Sequence, residues 1–117
     1  MTQHHKIDYV ELPAADLSAT KRFYSSVFGW KFTEYGEGYS AFSSAGLLGG
    51  FYQSEQTSSS EQGAALVVIY SDDLATTQAQ IEAAGGRICR PLFEFPGGRR
   101  FHFKDPCGNE LAVWSDQ

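Results

Sequence analysis

The stretch DLSATKRFYSSVFG, residues 16–29, decides the fold because the chain uses its pattern twice. The counterpart is DLATTQAQIEAAGG, residues 73–86. One offset of 57 residues carries Asp16 to Asp73 and Gly29 to Gly86, so the two stretches align without a gap. Each opens on Asp, whose carboxylate can accept from the amide protons that a helix's first turn leaves unpaired. Each closes on glycine, which tolerates the left-handed backbone that ends a helix. In between, Leu17, Phe23, Tyr24, Val27 and Phe28 form one helical apolar face, and Leu74, Ile81 and Ala84 form the other.

Outward from the helices, the flanking segments read as strands. Ile7 to Leu12 and Ala65 to Tyr70 precede the two helices and are rich in branched and aromatic residues. Trp30 to Thr33, Tyr39 to Ser43 and Leu47 to Tyr52 follow the first helix; Arg87 to Arg90, Arg100 to Lys104 and Glu110 to Trp114 follow the second. Asp105-Pro106-Cys107-Gly108 is a turn, with Pro pre-setting its second position and Gly suiting its fourth. The segment from Gln53 to Gly63, poor in apolar residues and rich in Ser, Gln and Glu, reads as a flexible linker. The expectation is an α+β fold in a single domain over 1–117. Module one spans about 5–53, the linker about 54–63 and module two about 64–117, each module a β-α-β-β-β unit.

Composition narrows the function classes. A 117-residue chain with 42% hydrophobic residues can bury a core without staples. Its net charge of −5 disfavours phosphate backbones and anionic lipid as partners, so no nucleic acid and no membrane are expected. No apolar run approaches the length of a membrane span, and the first six residues lack the apolar core of a signal peptide. Cys89 and Cys107 have no CxxC spacing, which suits a reduced, cytoplasmic setting. Cys107 falls in the turn, with only Lys104 near it to activate a thiolate.

Two β-α-β-β-β units, the run from Glu11 to Leu17, Phe23-Tyr24, Val27-Phe28-Gly29-Trp30 and Asp105-Pro106-Cys107-Gly108-Asn109 together resemble the vicinal oxygen chelate superfamily. That group holds glyoxalase I, the extradiol dioxygenases and the bleomycin-resistance proteins. The resemblance covers nearly the whole chain. It implies a curved, mixed eight-stranded sheet with helices outside and a pocket inside, and commonly a homodimer. It also implies four strand positions that hold a divalent ion in metal-using members. Here these positions read Tyr9, Gly50, Leu66 and Ala112, three of them without a ligating atom. The phenol of Tyr9 is a poor ligand at neutral pH. The expectation is therefore no metal and no cofactor.

Strand alternation sorts the remaining candidates. If Val10 and Leu12 face the helices, Tyr9 and Glu11 face the pocket. Glu11 among Tyr9, Leu66 and Val68 would be desolvated and would suit a catalytic general acid or base. Alternatively it pairs with an Arg or hydrogen-bonds Tyr70. His102 lies between Phe101 and Phe103 and faces away from the helices if those two face them. Trp114 shares the alternation of Glu110 and Ala112, whereas Trp30 reads as core. His4 and His5 could bind metal but sit at a terminus. The expected ligand-binding residues are Tyr9, Glu11, Gly50, Leu66, Val68, Tyr70, His102, Ala112 and Trp114. The reading favoured is a metal-free pocket for a small aromatic or amphipathic molecule. A lyase or isomerase working by proton transfer through Glu11, and an interaction domain with a vestigial pocket, are the alternatives. Whether the chain is an enzyme is left open.

Overall fold

A computed structural model describes residues 2–117. Strand β1 (Tyr9–Ala14) leads into helix α1 (Leu17–Phe28), followed by β2 (Lys31–Glu34), β3 (Tyr39–Ser43) and β4 (Leu48–Gln53). Module two repeats the order with β5 (Val67–Tyr70), α2 (Leu74–Ala83), β6 (Arg87–Phe95), β7 (Gly98–Lys104) and β8 (Glu110–Ser115). The eight strands form two four-stranded sheets, ordered β1-β4-β3-β2 and β5-β8-β7-β6. In each, the first strand runs parallel to the last and the other pairs are antiparallel.

The repeated caps form as the residue types require. The Asp16 side chain accepts from the Ala19 amide at 3.0 Å, and that of Asp73 from the Thr76 amide at 3.2 Å. Gly29 closes α1 in the left-handed region at φ 73°, whereas α2 is capped by Ala84 and its left-handed glycine is Gly85 at φ 102°, one place before Gly86. The apolar faces of both helices enter one core with one face of each sheet: Phe23, Tyr24, Ile81, Leu12, Phe51, Phe101 and Phe103 are all buried there. Trp30 is core, stacked on Tyr24 at 4.7 Å.

Several element bounds move by one or two residues. The larger change is β6, which runs through Pro91 to Phe95 rather than stopping at Arg90. It is an edge strand with register shifts on both sides of Arg90, and such a strand accommodates proline. The linker is docked rather than loose. Ser60–Gln62 make a 3-10 turn, the Ser58 amide donates to Asn109 Oδ1 at 2.9 Å, and the Glu110 amide donates to Ser58 O at 2.8 Å. Polar composition misled here because the linker's partners are hydrogen-bonding groups of Asn109 and Glu110 rather than apolar residues. Cys107 is half-buried against α1, where its sulfur accepts from the Asp16 amide at 3.4 Å. Both cysteines are unpaired, and among the described residues no helix is long and apolar enough to cross a membrane.

Candidate functional site

Alternation leaves each sheet an open face turned away from the helices. On the first sheet, Leu12 is buried in the core and Glu11 is exposed on the opposite side, with Tyr9. Glu11 lies beside Gly50 in the ladder, and Ala41 lies on the other side of Gly50. On the second sheet the corresponding row is Val68, Ala112 and His102. The repeat therefore holds at the level of register: Gly50 and Ala112 occupy equivalent places.

Each open face has its own polar centre. On the first, the Tyr39 hydroxyl donates to Glu11 Oε2 at 3.0 Å and meets the Tyr9 hydroxyl at 2.5 Å. Burial, the bond with Tyr9 and the Glu11 carboxylate push the Tyr39 phenol above its usual range. Glu11 is exposed, so the desolvation expected of it is absent, and its partner is Tyr39 rather than Tyr70 or an Arg. Tyr70 instead donates to Asp116 Oδ1 at 2.6 Å.

The second open face carries more chemistry. His102 is 4% exposed, and its Nδ1 sits 2.7 Å from Glu110 Oε2. The other oxygen of Glu110 accepts from the Ser60 amide and hydroxyl, each at 2.8 Å. Burial would raise the Glu110 carboxyl, but the hydrogen bonds from His102 and Ser60 outweigh it and hold the carboxyl at about 2. His102 Nε2 and Arg100 Nε are buried without a hydrogen-bonding partner. Around them runs a chain of rings and guanidinium groups. Tyr70 meets Trp114 edge to face at 5.2 Å, and Phe95 lies 6.3 Å beyond. Arg100 stands 5.6 Å from the Phe95 ring and 5.3 Å from Phe93. Phe93 also carries Arg90 at 3.8 Å and lies 5.9 Å from the His102 ring.

A separate apolar cleft of ≈ 490 Å³ between β1 and β5 is lined by Val10, Leu12, Trp30, Val67, Val68 and Tyr70 among others, and it shares Tyr70 with this chain of rings. A larger groove of ≈ 680 Å³ lies between β1 and the linker, away from these rings.

The expected site residues thus divide. Tyr9, Glu11 and Gly50 belong to the first open face, and Val68, Tyr70, His102, Ala112 and Trp114 to the second. Leu66 precedes β5 and is half-buried. Glu110 and Ser60 were not among the expected site residues. Glu110 could have been read, since it shares a face with Ala112 across the hairpin from His102. Ser60 lies in the linker and gave no signal.

Comparison with known proteins fits this architecture. The family model described as Glyoxalase/Bleomycin resistance protein/Dioxygenase superfamily matches residues 6–113. The chain belongs to that superfamily. Among curated relatives, the anthracycline biosynthesis protein DnrV of Streptomyces peucetius is 28% identical over 124 aligned positions, covering 91% of this chain and 45% of that protein. The putative glyoxylase CFP32 of Mycobacterium bovis is 28% identical, covering 92% and 44%. The chain spans under half the length of these relatives. Among solved structures, the fosfomycin resistance protein FosX of Listeria monocytogenes superposes with a TM-score of 0.78 at 17% identity, covering 97% of this chain and 94% of that one. A lactoylglutathione lyase from Agrobacterium tumefaciens gives 0.70 at 21% identity, covering 97% and 96%. At these identities the structural likeness speaks for the superfamily fold.

The superfamily's metal positions do not fit a divalent ion in this chain. Gly50, Leu66 and Ala112 supply no donor atom. The place where a side chain at position 50 would project is filled by the Tyr39 phenol, which already binds Tyr9 and Glu11. Among the described residues no three His, Cys, Asp or Glu side chains gather into a metal-ligating group.

Proposed function

We propose that this member of the superfamily binds a small aromatic or amphipathic organic molecule without a metal ion. The observation that carries the reading is the run of rings and guanidinium groups from Tyr70 through Trp114, Phe95, Arg100 and Phe93 to His102, with an apolar cleft at Tyr70. Apolar surface with a few placed polar groups is what such ligands require. Rings offer stacking partners, and guanidinium groups favour electron-rich faces and oxygen atoms. The lyase activity named for one structural neighbour is not carried over, because a likeness at 21% identity speaks for the fold alone. A homodimer and a cytoplasmic setting are part of the proposal. Exposed Tyr9, Leu48, Val68 and Tyr70 supply apolar surface for a second copy, and two free cysteines suit a reducing compartment.

The test is a thermal-shift screen of small aromatic compounds in chelator-treated buffer. A ligand that binds only the folded state raises Tm. At least one compound should do so in the native chain, and Trp114→Ala should abolish the rise. No rise with any aromatic compound, or a rise that returns only on adding a divalent metal, would refute the proposal. Elemental analysis after dialysis should show no stoichiometric zinc, nickel, manganese or iron.

A further inference from the structure

His102 and Arg100 are two residues apart on β7 and share its open face, so their Cα atoms are roughly 7 Å apart. Each keeps a buried nitrogen without a partner. A buried polar atom left unmatched costs about 1–3 kcal/mol, and here two such atoms belong to neighbouring side chains on one face.

The hydrogen-bond pattern says what each atom offers. A carboxylate only accepts, so the hydrogen between His102 and Glu110 belongs to Nδ1. In the neutral ring Nε2 then carries a lone pair and acts as an acceptor or base. Glu110 cannot swing away easily, because Ser60 holds its second oxygen with two donors. A carboxylate that fixes a histidine tautomer and faces the imidazolium formed from it is a recurrent way to present a base. Arg100 Nε–H is a donor. The other charged groups around the ring are Arg90 across the ladder on β6 and Lys104 two residues along β7. Cys89 lies near Glu110, and burial followed by that carboxylate pushes its thiol up.

We propose that His102 is the proton acceptor of a hydroxyl-recognising subsite, where Nε2 takes the proton of an aromatic ligand's acidic hydroxyl and Arg100 faces the resulting oxyanion. The O–H bond breaks, an N–H bond forms at Nε2, and the pair of electrons stays on oxygen. The imidazolium is balanced by Glu110 and the phenolate by Arg100. Glu110 and Ser60 are positioning residues. This rests on the aromatic-binding reading above and narrows its ligand class to phenols and comparably acidic enols.

4-Nitrophenol tests it directly, because its phenol and phenolate absorb at different wavelengths, and nitrobenzene is the comparison without a hydroxyl. At a pH where the free probe is mainly neutral, the protein should bind 4-nitrophenol as phenolate and at least about tenfold more tightly than nitrobenzene. His102→Gln should erase both the preference and the phenolate band, and Glu110→Gln should weaken the band. Arg100→Gln, away from the Glu110 pair, should lower the phenolate fraction even if the other variants fail to fold. Equal binding of both probes, or bound 4-nitrophenol without a phenolate band, would overturn the inference and leave aromatic binding standing. Failure to bind either probe would overturn the inference, and the aromatic-binding reading falls with it only if the thermal-shift screen also yields no aromatic ligand.

Discussion

Glu110 is the residue whose environment makes the strongest demand. Its folded carboxyl sits at about 2, below the ordinary value near ~4.3 for an unfolded chain. The stabilisation from this depression is therefore complete above about pH 4.3 and is lost as pH falls toward about 2. Urea unfolding at neutral pH and near pH 3 should show that Glu110→Gln removes part of the acid-dependent loss. At neutral pH the same variant should cost about 1–3 kcal/mol, because His102 and Ser60 lose a charged partner. An unchanged acid slope would mean that the carboxylate is not held as described. At Glu11 the expectation is the reverse: an exposed carboxylate with one hydrogen bond should tolerate Glu11→Gln with under about 1 kcal/mol of loss.

At the scale of elements, register separates these neighbours. Leu12 is 5% exposed beneath the helices, so Leu12→Ala should cost about 2–5 kcal/mol in chemical denaturation. Similar effects of Leu12→Ala and Glu11→Gln would mean that the strand is turned over. The β1–β4 pair needs a close approach at Gly49. A Cβ at Gly49 would meet the Val10 carbonyl and the Phe42 ring, so Gly49→Ala should destabilise by about 3 kcal/mol or more. The repeat was legible because capping Asp residues, helix-ending glycines and period-two strands are local signals, and each appears twice. The face assignments of Tyr9, Glu11, Val68, Ala112 and Trp114 followed from that alternation. Local signals also set the limit. Tyr39 reaches Glu11 from a strand 28 residues away, and Ser60 reaches Glu110 across 50. Only the folded chain brings such pairs together. Glu11 was expected to be desolvated because its strand neighbours are apolar, but the open face leaves it in solvent.

For the whole molecule, Asn109 and Asp105 join the modules. Asn109 is fully buried; its Nδ2 donates to Pro13 O at 2.6 Å, and its Oδ1 accepts from the linker at Ser58. Tyr24 on α1 donates to Asp105 Oδ2 at 2.8 Å. Asn109→Ala should lower stability by about 1–3 kcal/mol and expose the 54–63 segment to limited proteolysis, which mass spectrometry of the fragments would locate. Light scattering at micromolar concentration should give twice the 12.9 kDa chain mass, and a monomer would remove the dimer from the proposal. The central claim is a metal-independent aromatic site on the open face of the second sheet. Its most direct test is amide and indole chemical-shift mapping with 4-nitrophenol in chelator-treated buffer. The account predicts shifts concentrated on Trp114, Tyr70, Phe93 and Ala112 and unchanged by added divalent metal. Shifts centred on Tyr9 and Gly50, or appearing only with metal, would contradict it.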